Sequence, residues 1–338
     1  MRQNEQNHQA ISRLTALWAL AESGLGGWMH ALHLPLTGIF VGGAAVVMVA
    51  LIARYSHFSY REVLQATLLV MLVKFAASPQ SPPQAYIAVG FQGLAGALLY
   101  RLIPNFTLAS VVFGIVAMLE SALQKLIFMT LIYGRSLWEA LDVFFENIIK
   151  SFSLPADMSF SYWLIAGYTG LYAAWGLLLG IWISHLPERI RNRAAIISDQ
   201  FRELHPTEEA TLAHGRKKKS KLLPMLLVMG IIAGIFLLAG GAGLGKAEYV
   251  ILRTLAALVL IFGVINPLVK AALKQWLQRS RSKHKESLEE ILNLLPELQG
   301  YVRPAYRLAT ANHSGVKRYP AFLLILIVIT LYPIHDRS

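Results

Sequence analysis

Runs of about 20 mostly apolar residues, each long enough to cross the hydrocarbon of a bilayer as a helix, recur along this chain between short polar stretches. The pattern predicts spans near 12–32, 36–54, 62–77, 84–101, 107–133, 160–185, 222–243, 248–271 and 319–334, the third and last being short. One stretch departs from it. In SLWEALDVFFENIIKSF (136–152) apolar residues return every three or four positions beside Glu139, Asp142, Glu146 and Lys150. That is the period of an amphipathic helix lying at the membrane interface. The fold class is therefore all-α: a polytopic integral membrane protein with about nine transmembrane helices. It divides into a six-helix unit (1–185), a basic cytoplasmic linker (186–221) and a three-helix unit (222–338) with a cytoplasmic helical insert (273–318). Within the insert Leu288, Ile291, Leu292, Leu295, Leu298 and Val302 share one helix face, interrupted at Pro296. This face is expected to lie on the bilayer surface or to dock a cytoplasmic partner.

Charge sets the orientation. The chain carries 31 Lys and Arg against 19 Asp and Glu, a formal charge of +12. Arg189, Arg191, Arg193, Arg202 and Arg216 to Lys219 form one basic cluster, and Lys270 to Lys285 another. Short cytoplasmic loops retain Lys and Arg, so topology accounts for the excess and a nucleic-acid partner is not implied. Counting back from these clusters puts the N-terminus, RYSHFSYR and Arg101 inside, and SPQSPPQ and the amphipathic helix outside. With 55% apolar and 15% charged residues the chain is expected as a multi-pass protein of the inner (cytoplasmic) membrane. Ala19 and Ala21 frame a signal-peptidase-like A-x-A, but Arg13 interrupts the apolar core before them, so an uncleaved first helix is expected. The absence of cysteine removes thiolate metal sites and cysteine nucleophiles.

Ionisable groups inside hydrocarbon are costly and usually line a cavity or have a partner. Glu22, Lys74, Glu120 and Lys125, with the amides of Gln92 and Gln124, fall toward the external ends of their spans. Trp28, His30, His33, Tyr86, Tyr162 and Trp163 lie at the same level. Glu120 and Gln124 are one helical turn apart and share a face. An externally open pocket with carboxylates, amides and aromatic walls suits a small polar solute such as a vitamin or heterocycle. The expected substrate-binding residues are Glu22, Trp28, His30, His33, Lys74, Tyr86, Gln92, Glu120, Gln124, Lys125 and Trp163. His30 and His33 could also join Glu22 around a metal, but two ligands three apart are weak evidence, and no metal or cofactor is assigned. Gly38, Gly42 and Gly43, and the stripe Gly90, Gly93 and Gly96, are expected to let helices approach closely.

AGGAGLGKAEY (239–249) is nearly a phosphate-binding loop, yet Ala247 stands where Mg²⁺ coordination needs Ser or Thr, and an apolar span precedes it. It reads as an external turn between two spans, so ATP would have to be bound by another chain. No H-E-x-x-H or G-x-S-x-G constellation marks an enzyme.

A six-helix unit with an external polar pocket, a Gly- and Ala-rich first helix (LTALWALAESGLGG) and no ATPase of its own resembles the substrate-binding S component of an energy-coupling factor transporter, over about the first 185 residues. The resemblance implies that a small-residue face of the first helix, here Ala16 and Ala19, packs on a T-type membrane subunit. It implies too that the last 120 or so residues are a divergent T-like part. There Arg303 and Arg307 of YVRPAYRLATA would face cytoplasmic ATPase subunits. The expected function is uptake of a small solute by a non-enzymatic membrane protein. The competing expectations are a membrane scaffold without transport and an intramembrane enzyme acting on lipid-linked substrates.

Overall fold

The computed structural model describes residues 2–25, 37–78, 81–151, 159–204, 252 and 254–332. Trp28, His30, His33, the span at 222–243 and the glycine-rich turn at 239–249 lie outside the described residues. Within them all regular structure is helical, with no strand. Helix α1 (Arg2–Leu20) runs into a π-helical turn (Ala21–Leu25), and α2 (Thr37–Tyr55), α3 (Tyr60–Ala77), α4 (Pro83–Leu102) and α5 (Phe106–Tyr133) follow. Then come α6 (Arg135–Ser151), α7 (Phe160–Ser184), α8 (Leu186–Leu204), a second π-helical turn (Val259–Ile265) leading into α9 (Asn266–Lys283), then α10 (Lys285–Asn312) and α11 (Arg318–Leu331).

Five helical stretches among the described residues are long and apolar enough to cross a membrane: Gly38–Tyr55, Pro83–Leu102, Phe106–Tyr133, Phe160–Ser184 and Thr254–Ser280. Three of the expected spans behave otherwise. Helix α1 begins in polar sequence, and from Leu14 to Trp18 its side chains are almost wholly buried, packed between α2 and α3 on one side and α10 and α11 on the other. Helix α3 carries Arg61, Glu62 and Lys74 and buries Val63, Ala66, Val70 and Val73 against its neighbours. Helix α11 has 14 residues, about 21 Å at ~1.5 Å per residue, against a hydrocarbon thickness of about 30 Å. Its Leu324 to Thr330 are all buried. It is a core helix of the C-terminal part, held by α1, α8 and α10.

Glycine decides the closest approaches. A Cβ on Gly114 of α5 would collide with the Gly176 carbonyl of α7, and one on Gly180 with the backbone at Val111. Among the described residues these two helices make the most extensive packing. The stripe on α4 acts as expected: Gly93 is filled by Thr67, and Gly96 by Val49 and Phe113. Between α2 and α3 the chain turns through His57 and Phe58 at φ 52° and 63°, a left-handed conformation uncommon for such residues. The Phe58 ring there stacks near Tyr100 and lies tilted against Phe106, and the Arg54 guanidinium lies over both Phe58 and Phe106.

The amphipathic helix forms as α6. Its Asp142 carboxylate accepts from the Ser161 backbone N–H at 2.6 Å and the Ser161 hydroxyl at 2.8 Å, capping α7. The linker and insert differ from expectation. Residues 186–204 form a helix whose Leu186, Ile190, Ile197 and Phe201 are buried on the C-terminal part. Helix α10 passes through Pro296 and Pro304 without ending, and its apolar face is covered by α1, α11 and α8 of the same chain. Packing within the chain occupies the face that the sequence left for bilayer or partner.

Candidate functional site

The end of α3 meets the π-helical turn after α1 at Lys74 and Ser78 and the start of α4 at Tyr86, and α5 joins the start of α4 at Gln124. Most of the predicted binding residues gather at that end, but they separate into three groups.

The first group surrounds an ion pair. The π-helical turn adds a residue to the helical repeat and turns Glu22 toward α3. There Lys74 Nζ lies 2.6 Å from Glu22 Oε2, with the two side chains 6% and 5% exposed. Ser78 closes the same corner by donating to the Ser23 carbonyl at 3.4 Å. The Lys74 ammonium is 5.9 Å from the centre of the Tyr86 ring, a cation–π distance. Tyr86 is itself buried, and its hydroxyl has no partner among the described residues.

The second group is centred on Gln92, which is 2% exposed. Its carbonyl Oε1 has no hydrogen-bond donor among the described residues. Its amide reaches the backbone of α2 at Gly42, where a Cβ would stand 3.4 Å from Nε2, 3.3 Å from Ser121 Oγ and 3.0 Å from Met118 Cε. One turn earlier, a Cβ at Gly38 would stand 3.3 Å from the Tyr172 hydroxyl. That hydroxyl accepts from Tyr168 at 3.2 Å, and Lys125 lies 6.0 Å from the Tyr168 ring centre. Small residues on α2 thus bring an amide and hydroxyls from α4, α5 and α7 to one place. Sequence reading missed Ser121, Tyr168 and Tyr172. The available signal was the one-turn spacing of Gly38 and Gly42 and of Tyr168 and Tyr172.

The third group is Glu120 and Gln124. They face outward, into a groove between α4 and α5, and none of Glu22, Lys74, Tyr86 or Gln92 lines that groove. Trp163 belongs to no group. It is 56% exposed and pairs edge-on with Tyr162 on the surface of α7, so as a wall of the interior cluster it is corrected. Among the described residues no three of His, Asp and Glu stand close enough to hold a metal ion.

Ala16 and Ala19 are fully buried inside the chain, which corrects their assignment as a surface for a separate subunit. One turn before Ala16, Arg13 donates to Glu297 Oε1 at 3.1 Å and to the Thr330 carbonyl at 3.4 Å, joining α1 to α10 and α11. Tyr301 donates to the same carboxylate oxygen at 2.5 Å, and its ring meets Phe201 of α8 edge-on at 5.5 Å. Burial, and then the Glu297 carboxylate, push the Tyr301 hydroxyl above its ordinary pKa. Arg303 and Arg307 are exposed, one turn apart on the outer face of α10.

No protein-family model matches this chain, no curated protein matches it, and no solved structure matches it. The functional reading rests on the geometry above.

Proposed function

We propose that this is a membrane transport protein whose six-helix unit binds a small polar solute at the end of the bundle where Glu22, Lys74, Tyr86 and Gln92 gather. The observation that carries the reading is Gln92: an amide carbonyl without a donor among the described residues, almost completely buried, on a side chain whose amide nitrogen packs against the α2 backbone at Gly42. A buried acceptor without a partner costs about 1–3 kcal/mol, and a solute that donates to it recovers that cost on binding. The Glu22–Lys74 pair and the Tyr86 ring next to it fit a heterocycle or zwitterion, the chemistry of vitamins and their precursors.

In this reading the long apolar helices cross the inner membrane, with the N-terminus cytoplasmic and the pocket external. The energy comes from separate cytoplasmic ATPase subunits. Burial of Ala16 and Ala19 beside a C-terminal part that packs on α1 agrees with an S component fused to its own T-like part. The exposed Arg303 and Arg307 are then the face left for the ATPases.

The test is native mass spectrometry of the purified full chain against vitamins, nucleobases and amino-acid-like zwitterions. One class is expected to bind and to lose about tenfold in affinity in Gln92→Leu, as for one lost hydrogen bond in a buried site. A protein that binds none of them, or whose Gln92→Leu variant binds equally well, ends the proposal. A membrane scaffold would give the first of these results.

A further inference from the structure

The groove that holds Glu120 lies on the outside of the bundle, between α4 and α5, with a volume of about 570 Å³. Its walls are apolar: Ile87 and Phe91 from α4, and Leu123, Ile127 and Leu131 from α5. Glu120 is the only ionisable residue among the described residues that line it.

Two acceptor atoms in this groove are shielded from solvent and have no hydrogen-bond donor among the described residues: Glu120 Oε2 and Gln84 Oε1. The Gln124 amide in the same groove donates to the Gln84 main-chain carbonyl at 3.0 Å and to neither of these oxygens. That bond fixes the first turn of α4 against α5 one turn beyond Glu120, so the two free acceptors belong to adjacent turns of one groove. Lys125 does not neutralise the carboxylate, because it stands over the Tyr168 ring on the α7 side.

An apolar groove with two free acceptors, one of them anionic, matches a ligand that brings several donors, a positive charge and an apolar chain. A protonated primary amine has three donors and no acceptor, and its hydrogen bond to a carboxylate is charge-assisted. The volume lies within the usual range for small-ligand sites. Leu123, Ile127 and Leu131 follow one another at four-residue steps up α5, forming a continuous track for a chain.

We propose that the α4–α5 groove is a lateral binding site for a single-chain primary amine. The ammonium donates to Glu120 and Gln84, and the chain lies along Leu123, Ile127 and Leu131. The site is separate from the interior cluster and does not depend on solute transport.

The test titrates the full-length protein in neutral-detergent micelles with dodecylamine, dodecanol or laurate and reads the melting temperature. Dodecylamine is expected to act at about tenfold lower concentration than dodecanol, the factor for one hydrogen bond to a charged group, and laurate to have no effect. Glu120→Gln should bring amine and alcohol to the same midpoint. Ile127→Trp, which fills the groove and leaves the carboxylate in place, should abolish both shifts, so the proposal stays testable if Glu120→Gln does not fold. Equal action by the three chains on the wild type, or an amine preference retained in Glu120→Gln or in Ile127→Trp, overturns the site. An ethanolamine phospholipid giving the same Glu120-dependent shift overturns the assignment to a single-chain amine.

Discussion

Helix α1 and the π-helical turn that continues it carry two ion pairs in different surroundings. In the turn Glu22 meets Lys74 with both side chains almost fully buried. Nine positions earlier Arg13 meets Glu297 with side chains 17% and 35% exposed. The first pair joins helices of one unit, and the second joins the two halves of the chain. Desolvation makes the difference between them. A sealed pair gives up its hydration on both sides and contributes little net stability, yet removing one partner strands a charge in a medium that cannot solvate it. A half-open pair keeps some water and is worth little more than its hydrogen bonds. The sealed pair therefore resists single substitution most strongly without being the larger source of stability.

Removing one side of the sealed pair should have the largest effect. Lys74→Met leaves Glu22 buried and alone, and thermal melts in detergent should show a loss of about 3–5 kcal/mol. A loss below ~1 kcal/mol would mean that water reaches Glu22 and that the pair is not sealed. The double variant Glu22→Leu with Lys74→Met sharpens the point. It should recover most of the lost stability, because two apolar side chains replace two desolvated charges. Failure to recover would assign the pair a net stabilising role.

At the half-open pair, Glu297→Gln keeps the shape and removes the charge. A loss of about 1–1.5 kcal/mol is expected, the range for one hydrogen bond with partial charge assistance. The smallest effect concerns pH at the same junction. The Tyr301 hydroxyl is raised above its unfolded value of about 10, so above that pH the unfolded chain gives up a proton that the folded chain keeps. Stability from this group is complete below pH ~10 and declines as pH rises further. Alkaline melts of wild type and Tyr301→Phe should converge as the pH climbs. A constant difference between the two would remove Tyr301 from the account.

Much of this molecule was legible in the sequence. The spans at 36–54, 84–101, 107–133 and 160–185 match α2, α4, α5 and α7 to within a residue or two, because a long apolar run in a bilayer protein has little choice but helix. The period of 136–152 gave α6, and the glycine stripe gave the close face of α4. The site was legible only in part. Glu22, Lys74, Tyr86 and Gln92 of the candidate cluster stood out in the sequence because polar atoms are conspicuous in apolar helices. Ser121, Tyr168 and Tyr172 did not, because Ser and Tyr are unremarkable there until a neighbour's glycine is seen to face them. Helices α10 and α11 were misplaced for a related reason: an apolar helix face does not state whether lipid, a partner or the same chain will cover it.

The sequence alone determined where helices form, which ends are charged and which positions hold unusual polar groups. These follow from local periodicity and from the length of an apolar run. The tertiary structure decided which of those groups meet. Each residue turns a helix by about 100°, so the neighbours Gln124 and Lys125 diverge, one to α4 and the other over a tyrosine of α7. Two carboxylates both predicted for one pocket end in different places: Glu22 against a lysine in the interior, Glu120 in a groove on the outer face. Helix rotation and the closeness allowed by glycine set those outcomes, and both depend on residues far apart in the chain.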